Sequence, residues 1–248
     1  MGWWTRIGSA VCMIAAWQVA ATLAPTRTLP PPSDVLAFVL RELRDGDMLL
    51  HLGATLLRVA ASFVIAMALG TAIGVALGRY RALDRSLDLW LILLLNTPAL
   101  VITVLCYLWI GLTEAAAIVA VTLNKLPNVA VILREGARSL DPALDEMSAA
   151  YRFSFATWVR HVLCPQLEPY IVAAARSGLA LVWKTVLVVE LLGRPNGVGY
   201  AISYYFQLFD VRAILGYSLA FSIIMLAIEF LLMQPLDAYA RRWRLAAA

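Results

Sequence analysis

The amino-acid sequence predicts an all-α integral membrane protein. Of its 248 residues, 62% are hydrophobic, and the mean hydropathy is +0.80, which soluble domains of this length do not reach. Barrel strands are excluded because they take about 10 alternating residues, whereas membrane helices take about 20 apolar ones. Six segments fit the helical pattern: roughly Ile7–Ala24, Ala54–Leu77, Asp88–Ile110, Ala115–Leu133, Tyr170–Val189 and Ala213–Met233.

The distribution of arginine predicts the orientation, because cytoplasmic loops carry an excess of Lys and Arg. Eleven arginines lie on one side of the predicted spans: Arg6, Arg79, Arg81, Arg85, Arg134, Arg138, Arg152, Arg160, Arg241, Arg242 and Arg244. Five lie on the other side: Arg27, Arg41, Arg44, Arg194 and Arg212. We therefore expect both termini in the cytoplasm. The first segment is also compatible with a signal peptide, but its long apolar run favours a retained anchor.

The residues between the first two spans predict a short helix on the outer membrane surface. The prolines at 30–32 stop any preceding helix, and Ser33 or Asp34 can cap the next one. Apolar residues then recur near helical spacing at Val35, Phe38, Val39 and Leu43. The chain is thus divided into an N-terminal transmembrane anchor (1–28), an outer amphipathic segment (29–53) and a membrane core (54–244).

Two features of the core predict how its helices pack. Gly70, Gly74 and Gly78 form a ridge of small residues along the second span, which lets another helix approach closely. This contact is expected within one subunit, with a dimer seam as the alternative. In the third span, Asn96-Thr97-Pro98 predicts a kink.

The sequence contains no motif for catalysis or cofactor binding. It has no phosphate-binding loop. His51 and His161 lie on opposite predicted sides of the membrane, so they cannot form a metal pair. The net charge of +4 does not predict nucleic-acid binding, because the arginines flank the spans. We therefore expect a non-enzymatic protein with no cofactor and no metal.

A polar, aromatic stretch, DEMSAAYRFSFATWVRHVLCPQLEPYI (145–171), interrupts the apolar sequence. Asp141 can cap a helix that starts at Pro142, and Ser154 can begin a second helix. Pro165 and Pro169 are expected to end that second helix before the fifth span. The aromatic residues at the turn suit either an interfacial belt that contacts lipid headgroups or a knob that docks in another protein.

This stretch resembles the cytoplasmic loop of binding-protein-dependent ABC importer permeases. Their pattern is E-A-A, three residues, G, nine residues and I-x-L-P. Glu146 takes the E position, Met147-Ser148 the A-A, Arg152 the G, and Val162, Cys164 and Pro165 the last three. The segment HLGATLLRVAASFVIAMALGTAIGVALGRY is similar to the family's first core helix, and the segments SLDPALDEMSAAY, VLCPQLEPYI and VVELLGRPNGVGYAI are similar to the nitrate/sulfonate/taurine branch.

The resemblance implies the ABC transporter type I permease fold, with a MetI-like transmembrane domain and a cytoplasmic coupling helix. Two permease subunits, identical or not, would form a pore in the bacterial inner membrane. ABC ATPase subunits would bind on the cytoplasmic side, and a periplasmic solute-binding protein would deliver a small solute. Loop 141–169 would contact the ATPase through Glu146, Tyr151, Arg152, Phe153, Ser154, Phe155 and Pro165, although Arg152 replaces the family's glycine.

The segment after the fifth span, ELLGRPNGVGY (190–200), must turn sharply because it contains three glycines and a proline. In the family this segment faces the binding protein. The resemblance therefore implies a periplasmic gate at Glu190, Arg194, Asn196, Gly197 and Gly199. An ordinary outer loop is the alternative.

Polar residues inside the predicted spans indicate a water-filled path, because a polar side chain facing lipid is costly. They are Asn96, Asn124, Lys125, Asn128 and Lys184. Lysines without a nearby carboxylate would favour a small anion. Alternatively, Lys184 pairs with Glu190, and Lys125 serves helix packing. The other classes of protein that remain open are a stand-alone secondary transporter or channel and a structural membrane protein.

Overall fold

The computed structural model describes residues 3–23 and 28–235, and all regular elements in these ranges are helical. The helices are α1 (Trp3–Leu23), α2 (Pro32–Asp45), α3 (Met48–Arg79), α4 (Arg81–Asn96), α5 (Ala99–Ile110), α6 (Glu114–Arg138), α7 (Pro142–Ala150), α8 (Phe155–Trp158), α9 (Cys164–Gly193), α10 (Val198–Gln207) and α11 (Val211–Ile228). Five residues used in the sequence analysis lie outside the described residues: Ala24, Arg27, Arg241, Arg242 and Arg244.

Four helical segments of the described chain are long and apolar enough to cross a membrane: Met48–Arg79, Glu114–Arg138, Phe155–Gly193 and Val211–Met233. They contain the second, fourth, fifth and sixth predicted spans. Helix α1 covers the first predicted span as far as Leu23, and its segment Val11–Leu23 is apolar. Together with the bent pair α4–α5, the described residues hold up to five candidate spans, so six remains a prediction.

The third predicted span, Asp88–Ile110, is not one helix. Helices α4 and α5 meet at Thr97-Pro98 with a bend of 101°, which is a full break rather than the predicted kink. Proline disfavours a helical conformation in the residue before it, and Thr97 is extended, with φ −76° and ψ 125°. Asn96 Nδ2 and Thr97 Oγ1 donate to the carbonyls of Ile92 and Leu93, at 2.8 and 2.7 Å, and so satisfy the open end of α4.

The expectation that Pro165 and Pro169 end a helix was wrong, because both lie in the continuous helical segment Phe155–Gly193. In an α-helix a proline ring clashes with the carbonyl four residues earlier. For Pro165 this carbonyl belongs to His161, in the π-helical turn Val159–Leu163. The wider π turn displaces that carbonyl, so the chain passes the proline without stopping.

The glycine ridge of α3 packs against α6, as predicted for a contact within one subunit. A Cβ atom added to Gly70 would lie 2.6 Å from Val129 Cβ, and one added to Gly78 would lie 2.5 Å from Ala137 Cβ. At Gly74 the added atom would lie 2.5 Å from the backbone oxygen of Ala130. The two helices therefore touch along three turns, with no space for larger residues.

The described chain divides into two compact units. The first contains the residues up to Leu56 together with Glu190–Leu226, and the second contains Leu57–Val189 and the residues from Ala227 onward. In the first unit, α2 is amphipathic, as predicted, with Val35, Phe38 and Val39 buried. Its N-cap is Pro31, whose carbonyl accepts from Asp34 N–H at 3.0 Å. The predicted caps, Ser33 and Asp34, lie inside the helix because Pro32 already occupies its first position.

We predict that Gly74→Ala lowers the melting temperature of the detergent-purified protein. The added methyl group meets the Ala130 carbonyl, and overpacking of this kind costs about 1–3 kcal/mol. Gly53→Ala is the matched control, because a Cβ there has no atom within 4 Å and alanine favours a helix by up to about 1 kcal/mol. Equal melting temperatures for the two variants would contradict a close α3–α6 contact.

Candidate functional site

The segment 141–158 forms the helix–turn–helix that the sequence predicts. Asp141 Oδ1 accepts from Ala143 N–H at 2.9 Å and so caps α7, which has Pro142 in its first turn. Ser154 Oγ accepts from Thr157 N–H at 3.2 Å and caps α8. Both caps match the residues chosen from the sequence, since Asp and Ser are preferred at this position.

Arg152 occupies a backbone conformation that suits glycine. Its φ is +54°, in the left-handed region that costs other residues roughly 1–2 kcal/mol. Arg152 N–H donates to Ala149 O at 3.0 Å, and Phe153 N–H donates to Ser148 O at 2.9 Å. This pair of hydrogen bonds is the Schellman arrangement, which usually has glycine at the left-handed position. The glycine of the family motif therefore corresponds to the C-terminal cap of α7.

The tip of this segment presents aromatic side chains to solvent. Tyr151 is 75% exposed, Phe155 is 80% exposed and Phe153 is 37% exposed, and the rings of Tyr151 and Phe153 lie 6.5 Å apart. The other predicted contact residues, Glu146, Arg152, Ser154 and Pro165, are exposed as well. Large exposed aromatic side chains at a rigid turn are suited to burial in a partner's cleft.

Asp145 links α7 to α3 and α8 through side-chain contacts that the sequence did not indicate. Its carboxylate accepts from Trp158 Nε1 at 2.8 Å and from an Arg79 guanidinium nitrogen at 3.1 Å. The Arg79 guanidinium also lies 4.5 Å from the Trp158 ring centroid, a cation–π distance. Gln166 adds a second link, because its Oε1 accepts from Asp141 N–H at 2.9 Å. The turn is thus attached to the end of α3 and the start of α9.

A cavity of about 400 Å³ contains two of the five predicted path residues, Asn124 and Lys184. Its remaining lining is hydroxyl-bearing or apolar: Ala99, Ser177, Ala180, Leu181, Thr185 and Val188. This lining includes no carboxylate. Lys184 is exposed and forms no ion pair among the described residues. The cavity therefore combines one ammonium group with an amide, two hydroxyls and an apolar wall.

The other three predicted path residues do not line this cavity. Lys125 is 1% exposed, and its Nζ donates to Asn128 Oδ1 at 2.6 Å. The Lys125 side chain packs on Gly178, where an added Cβ would collide with it. Asn96 donates to a carbonyl of its own helix. Lys125 is thus held by Asn128 of its own helix and packs α6 against α9 at Gly178.

The predicted gate residues surround a buried carboxylate. Glu190 is fully buried, and its Oε2 accepts from Thr55 Oγ1 and from Gly199 N–H, both at 2.9 Å. Gly197, with φ +110°, passes so close to this carboxylate that a Cβ would collide with it. These contacts hold the start of α10, where a negative charge is favoured. Asn196 and Arg194 are half-buried.

Arg58 is a further functional candidate that the sequence analysis missed. It lies within the second predicted span and is 5% exposed. Its guanidinium forms two hydrogen bonds with Glu114, at 2.8 and 2.7 Å. This bidentate geometry is characteristic of strong arginine–carboxylate pairs. The sequence signal for this pair was an arginine inside the second predicted span and a glutamate, Glu114, at the start of α6.

Comparison with known proteins agrees with this architecture. The family model described as "binding-protein-dependent transport system inner membrane component" matches residues 47–245. The chain is 32% identical over 200 residues to the Escherichia coli (strain K12) permease SsuC, which is named for the transport of aliphatic sulfonates; the match covers 80% of this chain and 74% of that protein. It is 29% identical over 203 residues to the SsuC permease of Bacillus subtilis (strain 168), covering 81% of this chain and 74% of that protein.

A solved structure of the MetNI methionine ABC transporter, in an inward-facing conformation, has a similar fold. The TM-score is 0.66 at 21% identity, over 79% of this chain and 96% of that one. Because the family model matches residues 47–245, the chain belongs to the family of inner-membrane components of binding-protein-dependent transport systems. The resemblance inferred from the coupling-loop motif is confirmed, and the chain is a permease subunit of an ABC importer.

We predict that Arg152→Gly slows hydrogen–deuterium exchange in the peptide that contains α7 and its cap. Glycine adopts positive φ without the steric cost, so the cap should gain about 1 kcal/mol. Ala150→Gly is the control, because that position is helical and glycine there costs about 1 kcal/mol. Faster exchange in Arg152→Gly than in the parent would contradict the assigned cap.

Proposed function

We propose that this chain couples ATP hydrolysis on a separate subunit to the import of a small anionic solute. The observation that carries the proposal is the exposed aromatic turn around Tyr151 and Phe153, which Asp145 links to Arg79 of α3 and Trp158 of α8. When a bound partner moves, a turn attached in this way moves with it and displaces helices of membrane-spanning length. The chain itself hydrolyses no ATP in this scheme.

The arrangement in the membrane follows from the excess of arginine on one side. Six spans place both termini and the aromatic turn in the cytoplasm, with segment 190–200 on the outer side. A second permease subunit, identical or different, completes the pore. The binding protein delivers solute to the outer side, and the Glu190-anchored turn around Asn196 is the periplasmic gate.

Alternating access requires that the partner contacts differ between two states of the permease. ATPase subunits that approach one another would carry the two aromatic turns with them. Because Asp145 links each turn to Arg79, this movement reaches α3 directly, and α3 packs on α6 through its glycine ridge. The path from turn to span contains no long flexible segment.

The lysine-bearing cavity supports a small anion as the solute. The residues that line this cavity with Lys184 include no carboxylate, and Asn124 contributes a neutral amide. The apolar part of the lining, which includes Leu181 and Val188, suits a short aliphatic group. This chemistry agrees with the aliphatic sulfonates after which the SsuC relatives are named.

We predict that Tyr151→Ala combined with Phe153→Ala releases the ATPase. An aromatic anchor at the centre of an interface contributes about 2 kcal/mol or more, so the double variant should retain much less ATPase during co-purification. Trp109→Ala is the control, because this α5 side chain is equally exposed at 74% but lies on the other predicted side of the membrane.

Substrate-stimulated ATP hydrolysis by the reconstituted complex provides the second readout. If retention and stimulation are both unchanged in the double variant, the aromatic turn contacts lipid headgroups rather than an ATPase. If the chain alone, without any ATPase, transports solute in liposomes, it is a stand-alone transporter instead.

We predict that Lys184→Met reduces uptake of an anionic substrate more than uptake of a neutral one, because the cavity loses its positive charge. Lys184→Arg should retain the preference for anions. Lys125→Met should lower stability, since a buried hydrogen bond to Asn128 is removed at a cost of about 1 kcal/mol or more. Vesicles that contain Lys184→Met and transport anions at the parental rate would show that this cavity is not the solute path.

A further inference from the structure

Five aromatic side chains of the first compact unit form a closed ring. The ring centroids of Tyr200 and Tyr204 lie 6.3 Å apart, and those of Tyr204 and Tyr205 lie 5.2 Å apart. Tyr205 and Tyr217 follow at 5.7 Å, and His51 closes the circle at 5.9 Å from Tyr217 and 5.7 Å from Tyr200. All five line one cavity of about 630 Å³.

Two carboxylates, Glu42 and Asp47, also line this cavity, and its lining contains no lysine or arginine. Tyr217 Oη donates to Glu42 Oε1 at 2.9 Å. A Cβ atom on Gly46 would lie 2.5 Å from the carboxyl carbon of Glu42, so the glycine at the end of α2 provides the space for this carboxylate. The side chain of Asp47 is exposed and has no hydrogen-bond or ion-pair partner among the described residues.

We propose that this aromatic ring binds an organic cation that carries an alkylammonium group. Aromatic faces attract such cations through the electrostatic field of the ring, and cages of several rings are the usual sites for quaternary ammonium groups. The two carboxylates add a negative potential at the same cavity. A simple cluster of tyrosines at a membrane interface would need neither a closed ring nor carboxylates.

His51 contributes a neutral aromatic side chain to the cavity wall and no positive charge that would repel a bound cation. Its Nδ1 accepts from Gly197 N–H at 3.1 Å, which ties one side of the ring to the turn before α10. The neighbouring Tyr217 is fixed by its hydrogen bond to Glu42. The cavity is thus built before any ligand enters, which lowers the entropic cost of binding.

The test uses the full chain in nanodiscs of phosphatidylglycerol, which has no ammonium headgroup. Choline is the probe, and 3,3-dimethyl-1-butanol, its uncharged isostere, is the matched ligand control. Titration calorimetry should show saturable choline binding, with the isostere at least about tenfold weaker. Glu42→Gln and Tyr204→Leu should each weaken choline binding by a factor of about ten, whereas Asp45→Asn, on the same helix but outside the cavity, should not.

The source of the natural cation is distinguished by the lipid. If a lipid headgroup occupies the ring, nanodiscs of phosphatidylethanolamine will compete and reduce the apparent affinity for choline. If a soluble cation occupies it, the affinity will be the same in both lipids. Absence of saturable choline binding, equal binding of the isostere, or binding that survives both cavity substitutions would overturn the proposal. None of these outcomes bears on ATPase coupling, which is measured separately.

Discussion

The close contact between α3 and α6 is the constraint on which the second compact unit depends. Gly70, Gly74 and Gly78 leave no freedom in the distance between these helices, because backbone and Cβ atoms of α6 fill the space above them. Arg79 follows directly after this ridge and is therefore held where its guanidinium reaches Asp145. The glycine ridge thus sets where Arg79 lies, and the ion pair between Arg79 and Asp145 then positions the aromatic turn.

Local signals in the sequence predicted the helix caps of the turn, but they did not predict the side-chain contacts between residues far apart in sequence. Asp141 and Ser154 act as helix caps because a side-chain oxygen next to the first turn has few other partners. The contacts of Asp145 were not predicted, since nothing near it in sequence showed that Trp158 and Arg79 meet it in space. The prolines misled for a related reason. A π turn before Pro165 absorbs the clash, and π turns have no simple sequence signature.

The left-handed residue at 152 connects a sequence motif with a backbone requirement. The motif has glycine there, and the α7 cap needs a positive φ there, so the structure explains the glycine without any contact to a partner. An arginine at this position accepts backbone strain and places a cation beside Tyr151 and Phe153. Strained residues are retained where the surroundings hold them, often at functional surfaces. Arg152 thus lowers the stability of the α7 cap and adds a positive charge at the turn.

The two lysines of the predicted path, Lys125 and Lys184, have different environments that hydropathy alone does not distinguish. Both are penalised equally by a transfer scale, so the sequence put them in one class. In the structure Lys125 is enclosed, because Gly178 leaves room for its side chain and Asn128 Oδ1 accepts a hydrogen bond from its ammonium group. Lys184 faces a cavity whose hydroxyl groups already bond to backbone carbonyls of their own helix, Ser177 to Ala174 and Thr185 to Leu181. The ammonium of Lys184 lies 5.5 Å from the Trp183 ring centroid, and of the two lysines only Lys184 lines this cavity.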